Sequence, residues 1–344
     1  MTEKSKCRKI AIIGAGIFGL HIGYKLSLRS ESVEVHIFEQ NKLPMTNASS
    51  NNQHRMHLGF HYPRSKKTVG QILEANKKFV EEFSDCLYDI PTNLYAIENQ
   101  SNINFQEFVD TYEKKMYTNV VMEDYSDILK TEMLQGIINT QEKGIDTKKI
   151  KEKILSNIRS RKNISIFFGT KWQKNLYHNY DYVINCSYYN PQLTTSKIHV
   201  KYELCSIPLL ENPIPRQAAI TIMDGPFSSL YPTQDKNIYT LSNVKETPFF
   251  ITNDKEEIAY AYSNIKDFDL TLSRDRILEA ASQHIRFSSI KIVDNYVAIK
   301  CKPRYDIGDV RTSEIVVEDK NITILQGKIS TVSTVSDLVG EYIK

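Results

Sequence analysis

The stretch Lys9–Glu39 constrains this chain more than any other. An apolar run, Ile10–Ile13, leads into Gly14-Ala15-Gly16-Ile17-Phe18-Gly19. A helical apolar pattern follows at Phe18, Ile22 and Leu26, and a second strand, Val33–Phe38, ends on Glu39. This is the βαβ fingerprint of a dinucleotide site, and each part has a physical task. Gly14 allows a tight turn, Gly16 lets the backbone approach a pyrophosphate, and Gly19 lets the helix pack closely on the strand. Amides and the positive dipole end at the helix start hold phosphate charge, with Ala15, Ile17 and Phe18 beside them. Glu39, about 20 residues beyond Gly19, stands where a carboxylate meets a ribose diol, with Gln40 next to it. An ordinary buried βαβ unit does not explain why three glycines and the acid coincide, and the acid disfavours a 2′-phosphate.

The remainder bounds the setting. A chain of 344 residues predicts two domains, or one with an elaboration. A net charge of +3, with 41 % hydrophobic and 25 % charged residues, describes an ordinary globular surface and argues against nucleic acid or an anionic membrane as partner. Cys7, Cys86, Cys186, Cys205 and Cys301 are odd in number and scattered, which predicts reduced thiols rather than disulfides or a zinc site. No apolar run reaches membrane-spanning length and no secretory leader is seen, so the expectation is cytoplasmic. Nothing in the pattern specifies an oligomer.

After Glu39 no further strand–helix repeat begins. A polar segment runs from Ala48 to Arg64, with His54, His57, His61, Arg55 and Arg64 around Gly59. Helices are expected within 66–84 and over Phe105–Lys115, Thr147–Arg159 (Asp146 as N-cap) and Leu270–His284. Strands are expected at Asn93–Ile97, Gln135–Gln141, Asn163–Phe168 and Asp181–Asn185. From His199 to Val244 the runs read as an antiparallel sheet, followed by strands at Ile290–Ile292 and Tyr296–Lys300. The last strand, Ile322–Gln326, leads through Gly327 and Lys328 into a capped helix. The expected fold class is α/β with an α+β second domain. A Rossmann-like domain, discontinuous over 1–64, 135–195 and 301–344, carries an antiparallel substrate domain of 65–134 and 196–300.

Four places resemble the D-amino-acid-oxidase-like (DAO) family of FAD-dependent oxidoreductases. They are Gly14/Gly16/Gly19 with Glu39; Ser49-Ser50 through His57-x-Gly59-x-x-Tyr62; Glu142-x-Gly144-Ile145-Asp146 with Asp181–Cys186; and Leu325-Gln326-Gly327-Lys328 before a helix. Asn52-Gln53-x-Arg55 to Arg64, with Asp224–Phe227, is similar to a subgroup among bacterial polysaccharide- and sugar-modifying genes. The resemblance implies FAD rather than NAD. It places Ser49, Ser50, Asn51, Asn52, Gln53, Arg55 and His57 along the flavin, Cys186 and Ser187 at the later strand, and Gly327, Lys328, Ile329, Ser330 and Thr331 at the ring.

The implied reaction is hydride removal from a CH–OH or CH–NH carbon, with the flavin reoxidised by oxygen or another acceptor. His57 can serve as base, cofactor contact or covalent tether. Arg55, Arg64, Arg304 and Arg311 are candidate anion grips, Arg304 because relatives carry a clamping arginine nearby. Tyr62, Tyr231 and Tyr305 are candidate pocket walls. The spacing of the histidines fits no common ligand set, so no metal is expected. A loop this rich in His and Arg points to a small-molecule substrate that is anionic or hydroxyl-rich, such as a nucleotide-linked sugar. The competing readings are a non-redox flavin-dependent sugar rearrangement, a non-catalytic nucleotide-binding protein and an NAD-dependent dehydrogenase.

Overall fold

A computed structural model describes residues 7–64, 66–112, 119–120, 123–195, 197–304 and 313–343. A six-stranded sheet runs in spatial order Glu314–Glu318, Asn321–Leu325, Tyr182–Asn185, Arg8–Ile13, Val33–Phe38, Ile164–Phe167. Only the Glu314–Glu318 edge is antiparallel to its neighbour. Side chains alternate across the strands. Ile10, Ile12, Val35, Ile37 and Ile184 face a helical layer, whereas Ala11, Ile13 and Val183 face Trp172 and Tyr180. Arg8–Ile13 pairs with Val33–Phe38 on one side and with Tyr182–Asn185 on the other. The strand order therefore reverses at this strand, and a ligand crevice opens beyond the end of such a strand.

Several helices form where local signals predict, whereas Lys255–Ser263 is a helix that no expectation covered. Thr147–Arg159 starts at Asp146, whose carboxylate accepts from the Lys149 amide at 3.0 Å, and buries Ile150, Ile154 and Ile158 on one stripe. Lys66–Phe83 was expected with the substrate domain. Its first half packs there, with Val69 and Ile72 beside Tyr95 and Ile97. Phe79 and Phe83, at its far end, enter the core of the first sheet, because an apolar stripe does not encode which core it joins.

Glu82, on this helix, meets His21 Nε2 at 2.6 Å and Lys25 Nζ at 2.8 Å. Partial burial pushes its carboxyl up, but these two hydrogen bonds prevail and hold it down to about 2. A depressed carboxylate contributes stability above its unfolded pKa and loses it as pH falls. Stability should therefore drop between about pH 4.5 and pH 2, and the drop should flatten in Glu82→Gln when acid unfolding is followed by circular dichroism. An unchanged acid transition in that variant would remove Glu82 from the account.

The second sheet is ordered Pro248–Thr252, Val200–Glu211, Ile238–Asn243, Ser228–Pro232, Ala219–Met223, Asn93–Glu98, Leu134–Asn139, Asn119–Val120, with Ile292–Pro303 also paired to Val200–Glu211. Three sequence expectations change here. Leu134–Asn139, expected in the nucleotide domain, pairs with Asn93–Glu98. Ala219–Met223 runs parallel to Asn93–Glu98, so the sheet is mixed rather than purely antiparallel. The expected strands at 290–292 and 296–300 merge into one strand, Ile292–Pro303, in register from Val200↔Pro303 to Leu209↔Asp294, with a register shift before Leu210↔Ile292. The polar residues Asp294 and Asn295, which read as a break, are paired in the ladder opposite Leu209 and Pro208. Side-chain polarity does not report ladder bonds.

Candidate active site

The crevice starts at Gly14, whose φ of 99° lies in the left-handed region. Its amide donates to the Phe38 carbonyl at 2.8 Å. A Cβ on Gly19 would stand 1.9 Å from the Gly14 carbonyl oxygen, which is the close helix–strand approach that the fingerprint requires. Glu39 accepts from the Ala15 amide at 2.7 Å and from the Asn41 amide at 2.8 Å, so its carboxylate is pinned at the cavity wall. Ser49 Oγ accepts from the Ile17 amide at 3.1 Å and places its hydroxyl at the helix start.

The segment 45–62 ties the two sheets together. Met45 donates its amide to the Ala15 carbonyl, Asn51 donates to the Val297 carbonyl at 2.9 Å, and Gln53 donates to the Ser229 carbonyl at 3.1 Å. Asn52 closes the turn by accepting from the His54 amide at 2.7 Å. Burial lowers the His54 pKa, against the pull of its 2.7 Å bond to the Ser50 carbonyl. A cavity of about 730 Å³ results, within the range of roughly 300–1,000 Å³ typical of small-molecule sites.

Most residues expected to hold cofactor line this cavity: Gly14, Gly16, Ile17, Phe18, Glu39, Gln40, Ser49, Asn51, Asn52, Gln53, Arg55, His57, Cys186, Ser187, Gly327, Lys328 and Ile329. Five others do not, and they act behind the wall. Ala15 holds Glu39, Gly19 packs on Gly14, Ser50 donates to the Met45 carbonyl, Ser330 is buried, and Thr331 caps Lys328 at 2.7 Å.

Arg304 is exposed, and its guanidinium donates to the Val200 and Asn253 carbonyls at 3.1 Å, away from the cavity-lining residues. Its place in the sequence predicts a clamp, but the end of the long strand turns it outward. Tyr305 and Arg311 lie outside the described residues. Arg64 pairs with Asp224 at 3.0 Å near the surface. Tyr231 is buried beneath Arg55, and Tyr62 lines the cavity with Lys328 Nζ 5.1 Å from its ring centroid.

Arg55 is the centre of a buried network. Its guanidinium lies 4.1 Å from the Tyr231 ring centroid, donates to Thr221 Oγ1 at 2.9 Å and to Ser229 Oγ, and stands 4.0 Å from Glu142. Burial opposes its charge, but Tyr95, Tyr231 and Glu142 hold its pKa above the usual value. Burial pushes Glu142 upward, against Arg55, the Leu58 amide and the Tyr95 hydroxyl. Tyr95, Thr221, Ser229 and the role of Glu142 carry no sequence signal, because no local pattern marks residues that meet only across a sheet. His57, His61 and Glu142 bring ligand-type atoms within 4.8 Å of one another. The Arg55 guanidinium beside them opposes a cation there.

One observation tests the fit of a flavin directly. Gln326 is 9 % exposed and lines the cavity, and both its amide oxygen and its amide nitrogen lack partners. A buried donor and acceptor side by side call for a ligand edge that offers the reverse pair. The imide edge of a flavin does so. The residues present fit FAD.

A dinucleotide cradle and a second sheet closing one cavity define the class, a mixed α/β dinucleotide-binding fold. Residues 9–134 match the DAO family model, described as "FAD dependent oxidoreductase". The chain is 26 % identical over 334 residues to an FAD-dependent monooxygenase of Fusarium mangiferae, covering 94 % of this chain and 88 % of that protein. It is 24 % identical over 261 residues to an FAD-dependent monooxygenase of Aspergillus flavus, covering 67 % of this chain and 59 % of the other.

An L-alpha-glycerophosphate oxidase from Mycoplasma pneumoniae with FAD bound superposes with TM-score 0.69 at 14 % identity, covering 98 % of this chain and 94 % of that one. A glycine oxidase from Geobacillus kaustophilus does so with TM-score 0.64 at 12 % identity, covering 97 % and 94 %. At such identities the likeness shows the fold. The family description and the relatives' names agree on FAD as the cofactor. Among the described residues, no helix is long and apolar enough to cross a membrane.

Proposed function

We propose that the protein is an FAD-dependent oxidoreductase that takes hydride from a CH–OH or CH–NH carbon of a hydroxyl-rich or anionic, sugar-type substrate. The orphaned Gln326 amide carries the cofactor part, because it shares one cavity with the glycine cradle and Glu39. Bound FAD supplies the hydride acceptor. Glu39 fixes the nucleotide end, and Gln326 with the 327–329 backbone orients the ring end. Tyr62 and Phe227 supply apolar wall, and His57, His61 and Gln53 supply polar groups for a substrate rich in hydroxyls. Arg55 is already committed to Thr221, Ser229 and Glu142, which favours hydroxyl recognition over a carboxylate clamp at that point.

The purified protein should be yellow, with two visible bands, and should release FAD on acid precipitation. Colour kept in the pellet would mean a covalent flavin. A colourless protein that cannot be reconstituted would sink the proposal. The relatives named monooxygenases favour a second reading, in which oxygen is inserted into product. Labelled dioxygen separates the two: label in product supports insertion, and label in hydrogen peroxide supports oxidation.

A further inference from the structure

The parallel strands of the first sheet all end at one edge, and each end contributes to the cavity wall. In spatial order these contributions are Gln326 past Asn321–Leu325, Ser187 past Tyr182–Asn185, Gly14 past Arg8–Ile13 and Glu39 past Val33–Phe38. The fifth end, past Ile164–Phe167, brings Lys171 and Trp172 to the same wall. This segment is stitched to the ribose side of the cradle. The Glu39 amide donates to the Phe167 carbonyl at 3.0 Å, and the Thr170 amide donates to the Glu39 carbonyl at 2.8 Å. A dinucleotide laid along this edge has its ring at Gln326, its diphosphate at the glycine turn and a ribose at Glu39. The base beyond that ribose then reaches the fifth strand end.

Trp172 is 8 % exposed, and its indole packs on Phe38 at 5.2 Å and on Tyr180 at 5.9 Å between ring centroids. The rings meet at 68° and 53°, and these contacts fix the indole plane. The indole N–H has no hydrogen-bond partner among the described residues. A buried indole N–H ordinarily finds one. Because this group only donates, the partner it lacks is an acceptor, and the open space that Trp172 borders is the cavity.

We propose that Trp172 forms the base subsite of this cavity and donates its indole N–H to a ring nitrogen of adenine. Adenine presents such nitrogens as acceptors along its edges. The proposal rests on the dinucleotide part of the function proposed above, and not on which ring stands at the far end.

Trp172 is the one tryptophan in the chain, so protein carrying ¹⁵N-tryptophan gives a single indole N–H signal that needs no assignment. The probes are FAD and its fragment ADP, followed by proton–nitrogen correlation NMR. Saturation with either should move the signal downfield, as an N–H gaining an acceptor does. A signal that stays in place while visible absorbance shows FAD bound would overturn the proposal. Trp172→Phe keeps an aromatic ring against Phe38 and Tyr180 but removes the donor. It should bind FAD and ADP about 2- to 10-fold more weakly, by the same factor because both carry adenine. Unchanged affinity for both, or a loss confined to FAD, would overturn Trp172 as the base contact. A protein whose signal answers to ADP and NAD while FAD never binds would keep the base subsite and sink the flavin reading alone.

Discussion

Glu142→Ala is expected to destabilise the protein by about 3–5 kcal/mol, among the largest effects of any single substitution. Glu142 and Arg55 are both buried, and the pair spans the junction between segment 45–62 and the second sheet. Removing the carboxylate leaves the guanidinium's charge without its counter-ion and strips the Tyr95 hydroxyl and the Leu58 amide of their acceptor. Each orphaned buried group adds a desolvation penalty. The charge-free double variant Arg55→Met with Glu142→Leu should be more stable than Glu142→Ala, because a well-filled apolar replacement removes the unpaired charge. Guanidinium unfolding of the three proteins measures this. A double variant no better than the single would show that hydrogen-bond geometry, not the unpaired charge, sets the cost.

Gly19→Ala is expected to abolish flavin retention. Its Cβ would fall 1.9 Å from the Gly14 carbonyl oxygen and 3.1 Å from the Gly14 carbonyl carbon, and both are backbone atoms that no rotamer change relieves. The strand-to-helix turn must open, which moves the amides of the phosphate cradle and costs about 1–3 kcal/mol or more in overpacking. Gly70→Ala is the control. It sits in the helix Lys66–Phe83 with nothing within 4 Å of its added Cβ. That change should be neutral or stabilising by up to about 1 kcal/mol. The visible absorbance of each purified variant relative to its protein absorbance reads the outcome. Gly19→Ala that stays fully yellow would mean the turn is softer than its geometry states.

Much of the cofactor half was legible because its constraints are local. A glycine turn, an acid at a strand end and a capped helix at Asp146 each act within a few residues, and periodicity reports them directly. The helix Thr147–Arg159 and the strand Val33–Phe38 lie where their patterns place them. Where a strand such as Leu134–Asn139 or a helix such as Lys66–Phe83 docks was not legible, since an apolar face matches any core of suitable shape.

The same division runs through the site. The sequence by itself determined the βαβ unit, the place of Glu39 and the dense polar loop, because steric and dipole rules at those positions admit few residues. Only the tertiary structure decided that Arg55 is neutralised by Glu142, that Arg304 turns away from the cavity and that Gln326 waits with an unpaired amide. Such facts depend on which distant side chains share a low-dielectric space. A charge or hydrogen-bond partner supplied from far along the chain leaves no mark on local pattern.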